Sequence, residues 1–242
     1  MTDFLSLGDL KDRRAWQATL AEFMGLFLFV FIGPGAVVGT SMLVGGGELT
    51  VARLTAIALA HGLAIAVLVA AIARVSGGHI NPAVTITAVV TRKMGMVKGC
   101  MYVVAQLLGA ALGALLLAAV VPNAAEGALG GNALSIDVGP GLVVEIVLTF
   151  ALVFVIFATA VDPKGPAHLA PFAIGITVLI AHFIGVPLTG ASMNPARSFG
   201  PALATGMWAD HWVYWVGPII GGLIAGVLYD MVYIKGRKDE AA

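Results

Sequence analysis

The chain has 242 residues, of which 60% are apolar and only 11% are charged, with a formal net charge of zero and a mean hydropathy of +1.00. This composition excludes an ordinary soluble domain and indicates an integral membrane protein, and the balanced charge gives no indication of a nucleic-acid partner. The single cysteine, Cys100, excludes an internal disulfide and a cysteine-based metal site.

Apolar runs of about the length of a membrane-spanning helix follow one another at 16–43, 51–75, 99–121, 141–161, 168–187 and 212–234. Two shorter elements, at 79–90 and 194–204, follow the second and the fifth run. A ten-residue helix rises about 1.5 Å per residue and covers about half of a ~30 Å hydrocarbon core, so neither short element crosses alone. The amino terminus lacks a signal-peptide pattern, so we expect the first run to remain a span. We therefore expect one transmembrane domain over residues 1–242.

The basic residues predict the orientation of these spans. Most of the 13 Lys and Arg residues fall in loops on one side, which we expect to be cytoplasmic: Lys11, Arg13, Arg14, Arg74, Arg92, Lys93, Lys98, Lys164, Lys235, Arg237 and Lys238. Both termini then lie inside. Arg53 flanks the first outer loop, whereas no loop explains Arg197.

An Asn-Pro-Ala tripeptide occurs twice, at Asn81-Pro82-Ala83 and at Asn194-Pro195-Ala196. A polar residue followed by proline at the first helical position is typical of a helix start. At membrane depth the amino end of such a helix presents unpaired N–H groups and a positive dipole end, which is tolerated only beside a water-filled cavity. The pair of tripeptides therefore predicts a pore.

The two halves of the chain repeat each other. Glu22 lies near the start of the first span and Glu145 lies similarly in the fourth. Because three spans separate the copies, residues 16–121 and 141–234 are expected to insert with opposite orientation. The fold class is thus an all-α membrane protein with six transmembrane helices and two half-helices in an inverted repeat.

A buried carboxylate in a span needs donors or solvation. We expect Glu22 and Glu145 to accept N–H bonds from the irregular segments before the half-helices. The alternative is a proton or sodium site of a coupled transporter, which would also show inverted repeats.

The segments around the tripeptides, Ser76–Thr85 and Thr189–Pro201, resemble those of the aquaporins, the major intrinsic protein family, and the resemblance covers essentially the whole chain. It implies an aquaporin-like pore whose two half-helices meet at the centre, and a homotetramer in which each subunit has its own channel. Asn81 and Asn194 would cap the half-helices while their amides donate to water in the lumen. A water that accepts from both points its own hydrogens outward and interrupts a continuous donor chain. The alternative is that both residues are only helix caps.

By the same resemblance, Arg197 forms an outer constriction with His61, His182 and Ala191. Arginine at the centre of a lipid-facing helix costs roughly 2.5 to 3.5 kcal/mol, so Arg197 should face the lumen. Each histidine has an alternative interpretation as a satisfied core group. His79 is expected to fix the loop backbone rather than to contact a permeant.

The permeant is indicated by Ser198, Ala202, Tyr214 and Trp215. By the same resemblance, glycerol-conducting members of the family have an Asp and a basic residue at the positions of Ser198 and Ala202. The pair Tyr214-Trp215 resembles an aromatic pair of water channels; the alternative is that both residues belong to an interfacial belt. We expect a passive water channel that excludes protons and ions. The alternatives are a channel for ammonia, hydrogen peroxide, glycerol or urea, and a coupled secondary transporter.

We expect no enzyme activity, because no carboxylate pair, nucleophile or metal cluster accompanies the histidines. No cofactor and no metal are expected either. The expected partners are water, small neutral solutes and membrane lipid, and the expected location is the cell membrane.

Overall fold

The computed structural model describes residues 4–46, 48–122 and 128–236, and every regular element in those ranges is a helix. The helices are α1 Arg13–Leu43, α2 Val51–Ser76, α3 Pro82–Val90, α4 Met96–Val120, α5 Val138–Ile156, α6 Ala170–Thr189, α7 Pro195–Thr205 and α8 Val213–Tyr229. Within these ranges, six helices are long and apolar enough to cross a membrane, if the π-helical continuations of α5 and α8 are included. The short helices α3 and α7 are the predicted half-helices, so the predicted fold class is confirmed.

The predicted bounds differ from the structure mainly at helix starts. Helices α1, α4 and α5 each begin three residues before their predicted apolar runs, because a helical first turn does not have to be apolar. In α1 the Asp12 carboxylate accepts the backbone N–H of Arg14 at 3.0 Å and caps that turn. Arg237 and Lys238, which were counted among the basic residues that predict the orientation, lie outside the described residues.

Glycines bring α4 against the backbone of α1. A Cβ on Gly109 would lie 2.2 Å from the carbonyl oxygen of Phe23, and a Cβ on Gly113 would lie 2.4 Å from that of Phe27. Since neither approach is possible for a larger residue, this crossing depends on the two glycines.

The second half of the chain repeats that contact between α8 and α5. A Cβ on Gly221 would lie 2.2 Å from the carbonyl oxygen of Ile146. Gly222 and Gly226 face Thr87 of the half-helix α3, at 2.9 and 2.2 Å from where their Cβ atoms would be. The sixth span therefore packs through glycine on both a neighbouring span and a half-helix.

Helices α2 and α6 cross in the centre of the bundle. A Cβ on Gly175 would lie 2.5 Å from the carbonyl oxygen of Gly62, and one on Gly62 would lie 2.7 Å from the carbonyl oxygen of Gly175. This mutual approach carries the neighbouring His61 of α2 and the His182 of α6 into contact. The fold thus sets the spacing of the two histidines.

Candidate functional site

The loop before α3 is held by the buried carboxylate of Glu22. Its Oε1 accepts the Ser76 hydroxyl at 2.6 Å and the His79 backbone N–H at 2.9 Å. Its Oε2 accepts the Ile80 backbone N–H at 2.7 Å and the Gln106 side-chain amide at 2.8 Å. Both oxygens are therefore occupied by donors from the protein, which offsets the cost of burying the charge.

The loop before α7 is held in the same way by Glu145. Its Oε1 accepts the Thr189 hydroxyl at 2.6 Å and the Ser192 N–H at 2.9 Å, and its Oε2 accepts the Met193 N–H at 2.8 Å. The two carboxylates thus occupy equivalent positions in the two repeats, each binding the loop that precedes a half-helix.

These carboxylates hold a strained backbone. Ile80 and Met193, the residues directly before the two asparagines, adopt φ values of 48° and 52°. For residues other than glycine such a conformation costs on the order of 1–3 kcal/mol, most for a β-branched side chain such as that of Ile80. Because the N–H of each strained residue donates to Glu22 or Glu145, the carboxylates stabilise the turn that aims each asparagine.

Asn81 and Asn194 cap the half-helices. The Oδ1 of Asn81 accepts the Ala83 N–H at 2.8 Å. The Oδ1 of Asn194 accepts the N–H groups of Ala196 and Arg197 at 3.1 and 3.3 Å. Pro82 and Pro195 occupy the first helical positions, where the missing proline N–H costs nothing.

The same two side chains also join the two halves of the chain. Asn81 Nδ2 donates to the Met193 carbonyl at 2.8 Å, and Asn194 Nδ2 donates to the Ile80 carbonyl at 2.7 Å. Each amide nitrogen carries two hydrogens, so one N–H of each asparagine is left after this cross-bond. Both asparagines line the same cavity. The pair can therefore offer two donors to one small molecule between the half-helix ends.

That cavity is a narrow lumen of about 30 Å³. One water needs roughly 10–15 Å³ by this kind of measure, so this part of the lumen holds about two or three waters. One part of its wall is apolar: Phe29, Ile65, Val69, Val84, Leu152, Ile156, Ile174 and Val178. The polar side chains in the wall include those of Asn81, Asn194, His79, His182 and Arg197. A narrow, mostly apolar path with a few fixed polar groups suits the passage of small neutral molecules in single file.

Histidine and arginine meet at one end of the lumen. The rings of His61 and His182 lie 4.3 Å apart between centroids, and the Nη2 of Arg197 lies 3.4 Å from the Nε2 of His61. The Nδ1 atoms contact the carbonyls of Ile57 and Val178 at 2.9 and 2.8 Å. Since a carbonyl only accepts, we assign the proton to Nδ1, which leaves Nε2 as an acceptor in each neutral ring.

The four predicted constriction residues are not equivalent in the structure. His182 and Arg197 are among the residues that line the lumen, whereas His61 and Ala191 are not. The His61 ring packs against Gly33, whose Cβ would lie 2.7 Å from the ring. The Ala191 methyl packs on α6, where a Cβ on Gly185 would lie 2.7 Å from it. His61 contacts both lumen-lining residues, the ring of His182 and the guanidinium of Arg197.

Asn132 is a site residue that the sequence analysis missed. It lies in the loop between α4 and α5, and its Oδ1 accepts the Arg197 Nη1–H and the Ser198 hydroxyl, both at 2.7 Å. The Ser198 hydroxyl also lies 2.6 Å from that of Ser192. No local pattern marks Asn132, because its partners lie 65 and 66 positions away along the chain.

Two polar side-chain atoms of the lumen-lining residues are without a partner among the described residues. They are the Nε of Arg197 and the Nε2 of His182, and both side chains are almost fully buried. The first is a donor and the second an acceptor. Together they can bind a molecule that both accepts and donates a hydrogen bond.

The remaining predicted residues lie beside the constriction. Ala202 is buried and lines a small side pocket together with Asn132 and Ser198. Tyr214 is only 1% exposed, so it is a core residue of this chain rather than part of an interfacial belt. The indole N–H of Trp215 donates to the Nε2 of His211 at 3.0 Å, and burial lowers the pKa of His211.

Comparison with known proteins identifies relatives over nearly the full length. A model of the family described as "Major intrinsic protein" matches residues 9–229. The Zea mays protein named Aquaporin TIP4-4 is 48% identical over 229 residues, which is 93% of this chain and 90% of that protein. Aquaporin-4 of Mus musculus is 45% identical over 238 residues, covering 93% of this chain and 72% of that protein.

A solved structure has the same fold. The X-ray structure of the aquaglyceroporin from Plasmodium falciparum matches with a TM-score of 0.80 and covers 94% of this chain and 100% of that one. Its sequence is 24% identical, so this likeness concerns the fold alone.

Proposed function

Since this chain belongs to the major intrinsic protein family, whose members are channels for water or small solutes, we propose that it is a passive water channel that excludes protons and ions. The observation that carries the proposal is the pair of cross-bonded asparagines in a lumen of about 30 Å³. A solute with a carbon chain needs a wider path than one water, so the narrow lumen favours water as the main permeant.

Proton exclusion is proposed from the donors at the centre and the charge at the outer end. A water that accepts from Asn81 and Asn194 together has both lone pairs occupied, so its hydrogens point away from the pair. It then cannot accept a proton from a neighbouring water in the file. The positive ends of α3 and α7 and the guanidinium of Arg197 add an electrostatic barrier to cations.

A second set of permeants has its own supporting observation. The unpartnered Arg197 Nε–H and His182 Nε2 offer one donor and one acceptor to any small neutral molecule that carries both functions. Ammonia and hydrogen peroxide meet this requirement at a size close to that of water, whereas glycerol and urea also need a wider lumen. We propose the smaller two as secondary permeants.

The carboxylates support a channel rather than a coupled transporter. All four oxygens of Glu22 and Glu145 accept hydrogen bonds from the protein. A coupled site must bind and release a cation at such oxygens. We therefore propose a structural role for both residues, and no cofactor, metal or enzymatic step is part of the proposed function.

The test is stopped-flow light scattering on proteoliposomes with water, glycerol, urea and ammonia on one purified preparation. We expect fast osmotic shrinkage with a low activation energy, little glycerol or urea flux and no membrane current. Slow, saturable, gradient-driven flux would overturn the channel proposal, and glycerol flux comparable to that of water would overturn the assignment of the main permeant.

The assembly and location are also proposals. The concentration of Lys and Arg on one side of the spans supports a multi-pass orientation with both termini in the cytoplasm. The cell membrane is the location we propose. The family supports a homotetramer. Protease access to tags at each terminus tests the orientation, a fluorescent fusion tests the membrane, and native mass spectrometry tests the stoichiometry.

A further inference from the structure

An apolar groove lies on the outside of the helix bundle, away from the lumen. It is found at the end of the bundle where α1 and α4 begin, which we call the basic end because it carries Lys11, Arg13 and Arg14. Its volume is about 550 Å³. The residues that line it come from the 3₁₀ turn before α1, from α1 and from α4: Leu10, Trp16, Thr19, Met96, Val97, Cys100, Met101, Val104, Ala105 and Leu108.

The groove follows from how α1 and α4 cross. The two helices touch at Gly109 and Gly113 of α4, and the groove lies nearer to their starts, where α4 carries the larger Met96 and Met101. Between Met96 and Leu108 the groove is about 18 Å long at about 1.5 Å per residue. This is close to one half of a ~30 Å hydrocarbon core, the depth of a single leaflet.

The walls of the groove offer few hydrogen bonds to an occupant. The Trp16 indole N–H donates to the Leu10 carbonyl at 3.0 Å, and the Thr19 hydroxyl donates to the Ala15 carbonyl at 2.8 Å. Apart from the weakly polar Cys100 thiol, the side-chain polar groups of the lining are thus satisfied within the protein. An extended peptide segment lying there would leave its own backbone groups unpaired, whereas a hydrocarbon chain has none to pair.

The rim of the groove is basic. Lys11, Arg13 and Arg14 are exposed and lie in the chain between the lining residues Leu10 and Trp16. Two acidic residues share this rim, Asp9 and Asp12, and the Asp12 carboxylate accepts the Arg14 backbone N–H. The rim therefore keeps a net positive charge, which suits a phosphate group at the membrane surface.

The charge of the rim and the length of the groove favour a lipid as the occupant. An anionic lipid neutralises the basic rim, and its acyl chain matches the depth of one leaflet. We propose that the groove binds one acyl chain of an anionic phospholipid from the leaflet at the basic end, with its phosphate on the basic rim.

Native mass spectrometry tests this site on the full chain, purified in detergent with phosphatidylglycerol or phosphatidylcholine of identical acyl chains. We expect the wild type to retain several-fold more phosphatidylglycerol than phosphatidylcholine. Cys100→Trp places a bulky side chain in the groove and should lower retained phosphatidylglycerol at least fivefold. Replacing Lys11, Arg13 and Arg14 together by Gln leaves the walls intact and should remove only the preference for phosphatidylglycerol.

Leu112→Trp is the matched control for bulk, because Leu112 is exposed on α4 but does not line the groove. It should retain as much lipid as the wild type. The proposal is overturned if Cys100→Trp and Leu112→Trp retain equal amounts of phosphatidylglycerol, or if the triple Gln variant keeps the wild-type preference. It is also overturned if Cys100→Trp dissociates the oligomer without changing the lipid retained per chain, since the groove is then a subunit interface. If Cys100→Trp fails to fold, the triple variant decides the outcome.

Discussion

Removal of the Asn132 side chain should loosen the outer constriction. Asn132 Oδ1 accepts a 2.7 Å bond from the charged Arg197 Nη1, and a hydrogen bond to a charged group contributes about 1.5–3 kcal/mol. In Asn132→Ala, the population of conformers with a displaced guanidinium should therefore rise by about 10- to 150-fold, since 1.4 kcal/mol corresponds to about a factor of ten. If the displaced guanidinium widens the lumen, glycerol permeability should rise by up to the same factor.

The assay is stopped-flow light scattering on proteoliposomes, with the ratio of glycerol to water permeability as the readout. Asn132→Asp keeps an acceptor at the same position and should keep the low glycerol permeability, although its negative charge should raise cation leak. Ser135→Ala changes an exposed residue of the same loop and should leave both permeabilities unchanged. A wild-type ratio in Asn132→Ala would refute the argument that this loop positions Arg197.

Three further predictions concern the lumen, the cysteine and pH. Arg197→Val should raise proton or cation leak in a pH-dye assay, and His182→Gly should admit larger polyols, whereas unchanged flux of every solute in both variants would contradict the constriction. Mercurials should inhibit water flux only weakly, because Cys100 lines an apolar surface groove; strong block abolished by Cys100→Ser would oppose this placement. Burial lowers the pKa of His211, so the unfolded chain binds a proton at this residue more readily than the folded chain does. The stability that His211 contributes is therefore present above its unfolded pKa of about 6.5, and it is lost as pH falls through its folded pKa. The thermal unfolding midpoint in detergent should thus fall on acidification from about pH 7.5 to about pH 5, and it should fall less in His211→Gln than in the wild type. Substitution of the exposed His168 by Gln is the control. Equal falls in His211→Gln and the wild type would exclude this contribution of His211.

The sequence determined the helices because their signals are local. The lengths of the apolar runs defined the six spans, and a proline after Asn81 and Asn194 located the starts of α3 and α7. The larger errors were at helix starts such as that of α1, where a cap rather than hydrophobicity decides the first residue. The structural role of Glu22 and Glu145 could also be predicted, because a carboxylate buried in a membrane span needs hydrogen-bond donors.

Only the tertiary structure decided which groups meet. The bond from Asn81 to the Met193 carbonyl spans 112 positions, and the bond from Arg197 to Asn132 spans 65, distances at which a sequence pattern carries no information about partners. The position of the His61 ring depends on the glycine at position 33, because a Cβ there would lie 2.7 Å from the ring. Hydrophobicity and helix-start chemistry act within a few residues and fixed the elements, whereas the lumen width and its polar groups arise from how those elements cross.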